Sequence, residues 1–460
     1  MEGFTAKIFN KLKKAAPRFE LGIKDLQSSA LPLGHAAVNE FNQSITNLNS
    51  KTIQSLLIIC NGHGEDIIAL EIIKRMSVIR KSLKIEVLPL VGNGYIFDSI
   101  KGGNVNLVGN LKVLPSGGFS NQSFKGLVLD FCAGMPLYLL KNWLFVLKKS
   151  NKGFRILAIG DLLPLFFAWT SRCQFAFIGT PKSDHTWTSG PGWNISDFYH
   201  KFKGSEWDPW EINLMRHSNC KTVIVRDEIT ANNLMKKRVN ASFLGNPMMD
   251  FVESNLEKNY VLDDYMKVIL LIGSRYPEAF NNLTNFLSCL NPFNPEKKVL
   301  ILFPLSRNSE LDQIEAILMK YDYKLDNFEL LIGEESIWRK NNQFIVVGLG
   351  TFNNWANLAE VGLSNAGTAT EQISGLGIPS LSIPGVGPQF TKSFAQRQQR
   401  LLGGAVNVCD REEDVLKRLN KLLNNKSLRK EQSKLGVKRM GPKGGSERIV
   451  NHLNLKLLFE

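Results

Sequence analysis

From Ile53 onward, short apolar runs alternate with longer amphipathic stretches, and this alternation constrains the fold more than any other feature. The strand-like runs of a first series are Leu56–Cys60, Ile85–Leu90, Ile156–Ile159, Phe175–Ile178, Thr222–Val225 and Ser242–Leu244. Between them, Asp66–Arg80 and Asp227–Lys237 have the apolar spacing of helices. Strands that alternate with helices form parallel sheets, so the pattern predicts a parallel sheet with helices on both faces.

A second series of the same kind follows a polar hinge at about Asp250 to Asp264. Its strand-like runs are Val268–Ile272, Val299–Phe303, Phe328–Ile332, Phe344–Val347, Val361–Leu363 and Ser380–Ile383. Its helical stretches are Glu278–Leu290 and Leu311–Tyr321. A chain of 460 residues is long enough for two domains. We therefore predict an α/β fold with two Rossmann-like, doubly wound domains that face a central cleft.

The two series also predict the domain boundaries. Residues 1–50 form a basic extension and linker, 51–250 the first domain and 265–435 the second. Residues 436–460 form a C-terminal helix that packs back across the domains.

The net charge of +14 is concentrated at the two ends of the chain. Residues 1–24 carry six Lys or Arg against two acids, and residues 411–460 carry thirteen against six. Met1 to Phe19 has the pattern of a basic amphipathic helix, which suits either a membrane surface or a loosely docked extension. At each end, the alternative explanation of the charge is a surface that is simply exposed to solvent. Nucleic-acid binding is not predicted, since no helix-turn-helix or RNA-recognition motif accompanies the charge.

Neither a transmembrane helix nor a metal site is predicted. No run of about 18 uncharged apolar residues occurs, and the first residues lack the apolar region of a signal peptide. The six cysteines and six histidines are scattered, without a pair at metal-ligand spacing. We expect reduced cysteines and a cytoplasmic protein, with peripheral attachment to the inner face of the membrane as a further hypothesis.

The most informative stretch is SNAGTATEQISGLGIPSLSIPG, which begins at Ser364. A strand ends here, Gly367 and Thr368 make a turn, and a helix follows with Glu371 in its first turns. Free backbone N–H groups and the positive end of the helix dipole suit an anion at this turn. Glu371 is placed to accept hydrogen bonds from ribose hydroxyls.

GSRYPE, from Gly273 to Glu278, has the same order of strand, glycine turn and helix. Glycine lets a diphosphate approach the backbone, Ser274 donates a hydrogen bond, and Arg275 offers a cationic fork to two phosphate oxygens. Each turn alone is a weak signal, because any parallel sheet needs glycine between strand and helix. The two together indicate a nucleotide site.

These two segments, together with FLGNPMMD at Phe243 to Asp250, resemble the GSR..E, SGTATLE and VGHP..D segments of lipid-A-disaccharide synthase. More broadly, they resemble two-domain nucleotide-sugar glycosyltransferases, which include the peptidoglycan transferase of the lipid II pathway. The resemblance covers most of residues 55–435 and looks closest for the lipid-A-disaccharide synthase-related proteins of cyanobacteria and plastid-bearing organisms. It implies a GT-B fold, a UDP-sugar donor in the C-terminal domain and a lipid-linked acceptor in the N-terminal domain, with no metal and no cofactor.

The resemblance carries specific roles over to residues of the second half. Those for the donor diphosphate are Gly273, Ser274 and Arg275. Those for the nucleotide and sugar are Gly367, Thr368, Thr370 and Glu371. Asn246 stands where the family has histidine, which leaves its role open. In QFTKSFAQRQQ, Gln389 and Gln396 are either sugar contacts or part of a polar helix face.

CNGHGED, from Cys60 to Asp66, lies where the family has a Gly-Glu-x-Ser-Gly-Asp turn. Asp66 matches that turn by position. It is either a catalytic residue or only an acidic residue in the first turn of the helix, where it stabilises the helix dipole. Gly62 and Gly64 fit close approach of an acceptor or the turn itself. His63 has no counterpart in the family, but its chemistry suits a proton acceptor.

Asp161, in GDLLPLF, follows a strand and resembles the family's Asp-x-Pro-x-Phe segment. At a strand end that faces the cleft, its carboxylate is suitably placed to accept the proton of an attacking hydroxyl. It suits equally an N-cap for the following helix, and one aspartate can do both.

Two further features of the first half have open alternatives. Leu127 to Lys149 has an apolar face flanked by lysines, which suits either docking on a bilayer or a core helix. Four tryptophans between Trp187 and Trp210 suit sugar stacking, a membrane interface or packing of a long loop.

The leading hypothesis is a metal-independent, inverting glycosyltransferase that moves a sugar from a UDP-sugar to a lipid or lipid-linked acceptor. Its expected partners are a nucleotide sugar, a lipid acceptor and a membrane surface. A nucleotide-sugar epimerase is the alternative enzyme, and a non-catalytic nucleotide-sugar or lipid-binding protein is the alternative without activity.

Overall fold

The structure, a computed structural model, describes residues 55–62, 64–100, 102–113, 124–150, 153–188, 195–252, 260–305, 310–385 and 390–458. All of them belong to one unit, Ile53–Phe459. The predicted N-terminal extension and linker lie outside the described residues, as do His63, Trp193 and Gln389.

Within these ranges, the first sheet consists of seven parallel strands in the order β3-β2-β1-β4-β5-β6-β7. The strands are β1 (Ser55–Cys60), β2 (Lys84–Pro89), β3 (Val105–Leu107), β4 (Arg155–Gly160), β5 (Phe175–Gly179), β6 (Cys220–Val225) and β7 (Ala241–Ser242). The α-helices of this half are α1 (Gly64–Ile79), α2 (Phe124–Cys132), α3 (Met135–Ser150), α4 (Leu162–Thr170), α5 (His185–Thr188), α6 (Ile195–Lys203), α7 (Pro209–Met215) and α8 (Glu228–Lys236).

The second sheet, in the described part of the chain, has eight strands in the order β10-β11-β12-β9-β8-β13-β14-β15. They are β8 (Met266–Leu271), β9 (Val299–Leu305), β10 (Lys324–Asp326), β11 (Ser336–Lys340), β12 (Gln343–Leu349), β13 (Val361–Ser364), β14 (Ser380–Ser382) and β15 (Val406–Val408). The α-helices are α9 (Glu278–Leu290), α10 (Leu311–Lys320), α11 (Phe352–Ala356), α12 (Thr368–Gly375), α13 (Lys392–Leu401), α14 (Glu412–Asn424), α15 (Lys426–Met440) and α16 (Gly445–Lys456). Three 3₁₀ helices, Tyr95–Ile100, Pro247–Phe251 and Tyr260–Asp264, complete the described helices.

Strand β1 shows why the apolar runs become central strands. Successive side chains point to opposite faces of a sheet, so a strand covered on both faces is apolar throughout. Ile58 packs with residues of α1 and α16 on one face. Leu57 and Ile59 pack with residues of α4, α7 and α8 on the other. The predicted α/β fold of two doubly wound, Rossmann-like domains is therefore confirmed.

The far edge of the second sheet departs from the predicted parallel arrangement. Strands β10, β11 and β12 pair antiparallel, while β12 pairs parallel with β9. The predicted strand Phe328–Ile332 is wrong, because this segment is a loop. The Glu334 carboxylate accepts hydrogen bonds from the backbone N–H groups of Leu331 and Ile332, each at 2.7 Å. These amides are therefore satisfied without a neighbouring strand, although the apolar sequence is strand-like.

The chain returns to the first sheet at its C-terminal end. Helix α16 packs on α1, and its residues Ile449, Val450 and Leu453 join the buried cluster beneath β1. The Asp250 carboxylate accepts hydrogen bonds from the N–H groups of Gly444 and Ser446, at 2.6 and 2.7 Å. The segment that links the two sheets thus holds the start of the returning helix.

Candidate functional site

The turn after β1 lies opposite the start of α12, which belongs to the second half of the chain. Gly62 has φ of +93°, and a Cβ there would lie 2.9 Å from Val91, so both conformation and space require glycine. A Cβ on Gly64 would lie 3.8 Å from the Thr368 hydroxyl. The predicted acceptor turn and the predicted nucleotide turn therefore face each other at close range.

Asp66 points into the first domain. Its side chain is buried and hydrogen-bonds to the Cys60 thiol. Burial raises the pKa of the Cys60 thiol well above its usual range, and the charge of Asp66 adds to that effect. Asp66 is thus tied to the interior beneath the turn.

Glu65 is a candidate that the sequence interpretation missed. Its carboxylate accepts a hydrogen bond of 2.8 Å from the Thr180 hydroxyl, at the end of β5. Burial raises the pKa of Glu65, the Thr180 hydrogen bond opposes that rise, and the charges of Asp161 and Asp66 add to it. Glu65 and Asp161, from two neighbouring strand ends, are therefore close to each other at the floor of the cleft, with Asp66 buried beneath them.

Asp161 lies at the carboxyl end of β4 and caps α4. One carboxylate oxygen accepts a hydrogen bond of 3.1 Å from the N–H of Leu163. This is the N-cap geometry that the sequence allowed, and the carboxylate remains partly accessible.

In the second half, the GSR turn directly follows β8. Gly273 has φ of +88°, and a Cβ there would lie 3.2 Å from the carbonyl oxygen of Asn365, in the neighbouring turn. Ser274 is exposed and Arg275 is partly buried. Burial lowers the pKa of Arg275, and the nearby Glu278 carboxylate opposes this. The two predicted donor turns thus lie side by side.

Buried amides hold these two turns together. The Asn365 side chain accepts a hydrogen bond from Ile383 N–H and donates one to Asn282. The Gln398 amide donates to the carbonyl oxygens of Ala366 and Gly367, at 3.0 and 3.1 Å. Gln398 is therefore a residue of α13 that contacts the nucleotide turn.

Helix α12 starts at Thr368, with Gly367 as its N-cap. Thr368 is exposed, whereas Thr370 is buried. The Thr370 hydroxyl lies 2.5 Å from the Ser364 hydroxyl and donates to the Ala366 carbonyl oxygen. Its side chain therefore shapes the turn from inside.

An ion pair joins the two halves of the chain across the cleft. Arg226, directly after β6, donates a hydrogen bond of 2.7 Å to Glu371 of α12 and one of 3.3 Å to the carbonyl oxygen of Thr180. Burial alone lowers the pKa of Arg226, but Glu371, Asp227 and Glu65 together raise it. The sequence had given no sign that Glu371 has this partner.

Asn246 caps a short helix. Its side chain accepts a hydrogen bond of 3.0 Å from Met248 N–H and so caps the 3₁₀ helix Pro247–Phe251. Gln396 of α13 is partly buried. His63 and Gln389, the remaining predicted residues, lie outside the described ranges.

No group of three or more His, Cys, Asp or Glu among the described residues has the arrangement of a metal site. No helix among them is long and apolar enough to cross a membrane.

Comparison with known proteins identifies the fold. No protein-family model matches the sequence, and no curated protein matches it. The S. aureus MnaA structure with UDP superposes with a TM-score of 0.55 at 14% identity, over 87% of this chain and 96% of that one. A UDP-N-acetylglucosamine 2-epimerase has a TM-score of 0.52 at 14% identity, with the same coverage. The glycotransferase of kitacinnamycin has a TM-score of 0.50 at 11% identity, over 88% of this chain and 99% of that one. At such low identities the likeness establishes the fold, and this protein has the two-domain GT-B fold.

Proposed function

We propose that this protein is a glycosyltransferase that takes its sugar from a UDP-sugar bound to the second domain. The observation that carries the proposal is the placement of both predicted donor turns, Gly273–Arg275 and Gly367–Glu371, opposite the acidic turn of the first domain. A nucleotide on the second domain would present its sugar to the carboxylates of the first. Ligands in such sheets bind at the carboxyl ends of the strands, which is where these turns lie.

The donor would be held by charge and by free backbone groups. The N–H groups at the start of α12 and the cation of Arg275 suit the diphosphate. Gly273 leaves room for the phosphates beside the backbone. Glu371 would accept the ribose hydroxyls. These groups would also stabilise the UDP leaving group as its charge develops.

The acceptor would react through its hydroxyl oxygen. That oxygen attacks the anomeric carbon, the bond between this carbon and the diphosphate oxygen breaks, and UDP leaves with the electron pair. A base takes the hydroxyl proton. Glu65 and Asp161 are the carboxylates at the cleft floor that suit this role, since Asp66 is buried against Cys60. His63 stays a candidate from the sequence. Inversion at the anomeric carbon and independence of metal are part of this proposal.

An epimerase is the second candidate, because the same carboxylates suit an acid and base pair on either side of a sugar carbon. The two activities differ in their need for an acceptor. Consumption of a UDP-sugar by the purified protein alone would favour the epimerase. Consumption that requires a membrane lipid extract, with a glycosylated lipid in the mass spectrum, would favour the transferase.

The donor site is tested by calorimetry with UDP. We expect Arg275→Ala and Glu371→Ala to weaken UDP binding by about 10- to 100-fold, because each removes a hydrogen bond that involves a charge. Arg411→Ala is the matched control, since Arg411 is 73% exposed and pairs with Asp414 on the surface. Absence of UDP affinity in the unmutated protein would refute the proposed function.

We further propose that the acceptor is attached to a lipid, because an exposed apolar patch borders the cleft. The patch consists of residues on α2 and the first turns of α3, each 45–63% exposed: Val128, Leu129, Phe131, Leu137, Leu140 and Leu144. Exposed Lys141 and Lys148 lie on the same helix α3. An apolar surface with a cationic rim suits an anionic bilayer.

The packing of α3 places this patch beside the strand ends. The Tyr138 hydroxyl donates to the carbonyl oxygen of Leu90, just past the end of β2. The Asn142 amide donates to the carbonyl oxygen of Asn110, past the end of β3. The first turns of α3 are therefore at the cleft edge of the first sheet, where a lipid-linked hydroxyl could enter from a membrane.

Leu137→Glu tests this membrane surface. We expect it to reduce cosedimentation with vesicles of phosphatidylcholine and phosphatidylglycerol by about tenfold, since burial of one leucine contributes about 1.5–3 kcal/mol. Met319→Glu is the control, because Met319 and Leu137 are both 58% exposed and Met319 lies on α10. Equal loss in both variants, or no loss in either, would contradict the proposed surface.

A further inference from the structure

The Arg226 side chain crosses the boundary between the two halves of the fold. It extends from the end of β6 in the first sheet and contacts Glu371 of α12 in the second, at 2.7 Å. The two side chains are 10% and 13% exposed, so the pair is largely shielded from water. Thr180 O and the charge of Glu65 surround the guanidinium on its own side of the cleft.

Stability of the fold is a weak reason for this pair. Desolvation of two charges offsets most of their attraction, and a buried ion pair therefore contributes little net stability. Its location is more informative, since Glu371 lies in the first turn of the helix whose free N–H groups form the proposed nucleotide site.

Glu371, which the guanidinium contacts, lies in the same helical turn as those N–H groups. A helix rises about 1.5 Å per residue, so the Glu371 backbone is about 4.5 Å along the axis from Thr368. On the facing side, a Cβ added to Gly64 would lie 3.8 Å from the Thr368 hydroxyl. An anion at the start of α12 would thus lie between the two domains, beside Arg226.

We propose that Arg226 is a ligand of the donor diphosphate, supplied by the domain opposite the one that holds the nucleotide. This inference rests on the proposed UDP-sugar site. When the donor binds, its ribose hydroxyls donate hydrogen bonds to the Glu371 carboxylate. The Arg226 guanidinium leaves that carboxylate and donates to phosphate oxygens instead. One residue then couples donor binding to the contact between the domains, and together with Arg275 it places two cations on the diphosphate.

A comparison of UDP with uridine distinguishes an arginine that binds the diphosphate from one that only pairs with Glu371. We expect Arg226→Gln to weaken UDP binding by about 10- to 100-fold, because a hydrogen bond to a charged group contributes about 1.5–3 kcal/mol. Uridine, which lacks phosphate, should bind the variant as well as it binds the unmutated protein, or more tightly since Glu371 is released. Arg226→Lys should lose less UDP affinity than Arg226→Gln because the charge remains. Calorimetry with both ligands measures each affinity.

The control is Arg429→Gln. Arg429 forms a partly exposed ion pair with Glu360 at 3.3 Å, and Glu360 directly precedes β13, at the end of the sheet away from the cleft. UDP affinity should not change in this variant.

Three results would overturn the inference. UDP binding by Arg226→Gln that is unchanged or tighter would show that the arginine only competes for Glu371. Equal weakening of UDP and uridine would show a role in the shape of the pocket, not in the diphosphate contact. If the unmutated protein bound neither ligand, the proposed function would fall together with this inference.

Discussion

Loss of turnover by about 10²- to 10⁴-fold is the result we expect for Glu65→Gln, the range observed when a general base is removed. Glutamine keeps the size of the side chain and can still bond to the Thr180 hydroxyl, but it cannot take a proton. UDP affinity should persist, because Glu65 lies on the acceptor side of the cleft. The measurement is UDP release from the donor identified by a screen of UDP-sugars with membrane lipid extract, together with calorimetry of UDP binding.

The pH profile separates a proton acceptor from a residue that only supports the turn. Burial raises the pKa of Glu65 from its ordinary value of 4.5, so activity that needs the carboxylate should rise with pH through that raised pKa. The hydrogen bond from Thr180 stabilises the carboxylate and lowers this pKa. Thr180→Val should therefore raise the pKa further and shift the acidic limb of the rate profile to higher pH.

Glu71→Gln is the control for Glu65→Gln. Glu71 lies on the same helix, α1, and pairs with Arg75 outside the cleft. The control should retain full turnover. If Glu65→Gln turned over at the normal rate, or if Thr180→Val left the profile unmoved, Glu65 would not be the proton acceptor.

The second large effect is expected for Gly436→Ala, in the tight packing of α15 on α12. A Cβ at Gly436 would lie 2.2 Å from the carbonyl oxygen of Ser374 and 3.0 Å from its carbonyl carbon. Both are backbone atoms of α12, which cannot turn aside as a side chain does. We expect the free energy of unfolding to fall by about 1–3 kcal/mol, as is typical of overpacked sites.

The same substitution should weaken UDP binding, since α12 carries Thr368 and Glu371 and must move to relieve the clash. Urea unfolding and UDP calorimetry measure the two effects. Lys434→Ala, an exposed position on the same helix, is the control and should change the free energy of unfolding by no more than about 0.5 kcal/mol. Normal stability and normal UDP affinity in Gly436→Ala would contradict the close packing of these helices.

Most of the fold could be predicted from local sequence patterns, because both domains are built from buried strands that alternate with amphipathic helices. Central strands are apolar on both faces, and helices between them have an apolar stripe, so each element carries its own signal. The segment Phe328–Ile332 shows the limit of that signal. Its apolar residues are typical of a strand, yet Glu334 satisfies their backbone N–H groups and the segment stays a loop.

The candidate site divides in a similar way. Gly273 and Gly367 could be assigned to turns because a glycine between strand and helix is a local signal. Arg226 could not, because its partner Glu371 is 145 positions away in the sequence. Glu65 could not be distinguished from Asp66 either, since adjacent residues at a helix start point in different directions and only the packed turn shows where each one lies.

By itself, the sequence indicated most of the buried strands and the glycine turns that follow them. These features depend on the spacing of apolar residues and on glycine, both of which act over a few residues. Only the tertiary structure decided which polar side chains meet across the cleft: Glu65 with Thr180, and Arg226 with Glu371. Such contacts depend on the relative placement of two sheets, and that placement is set by long-range burial, which no short stretch of sequence encodes.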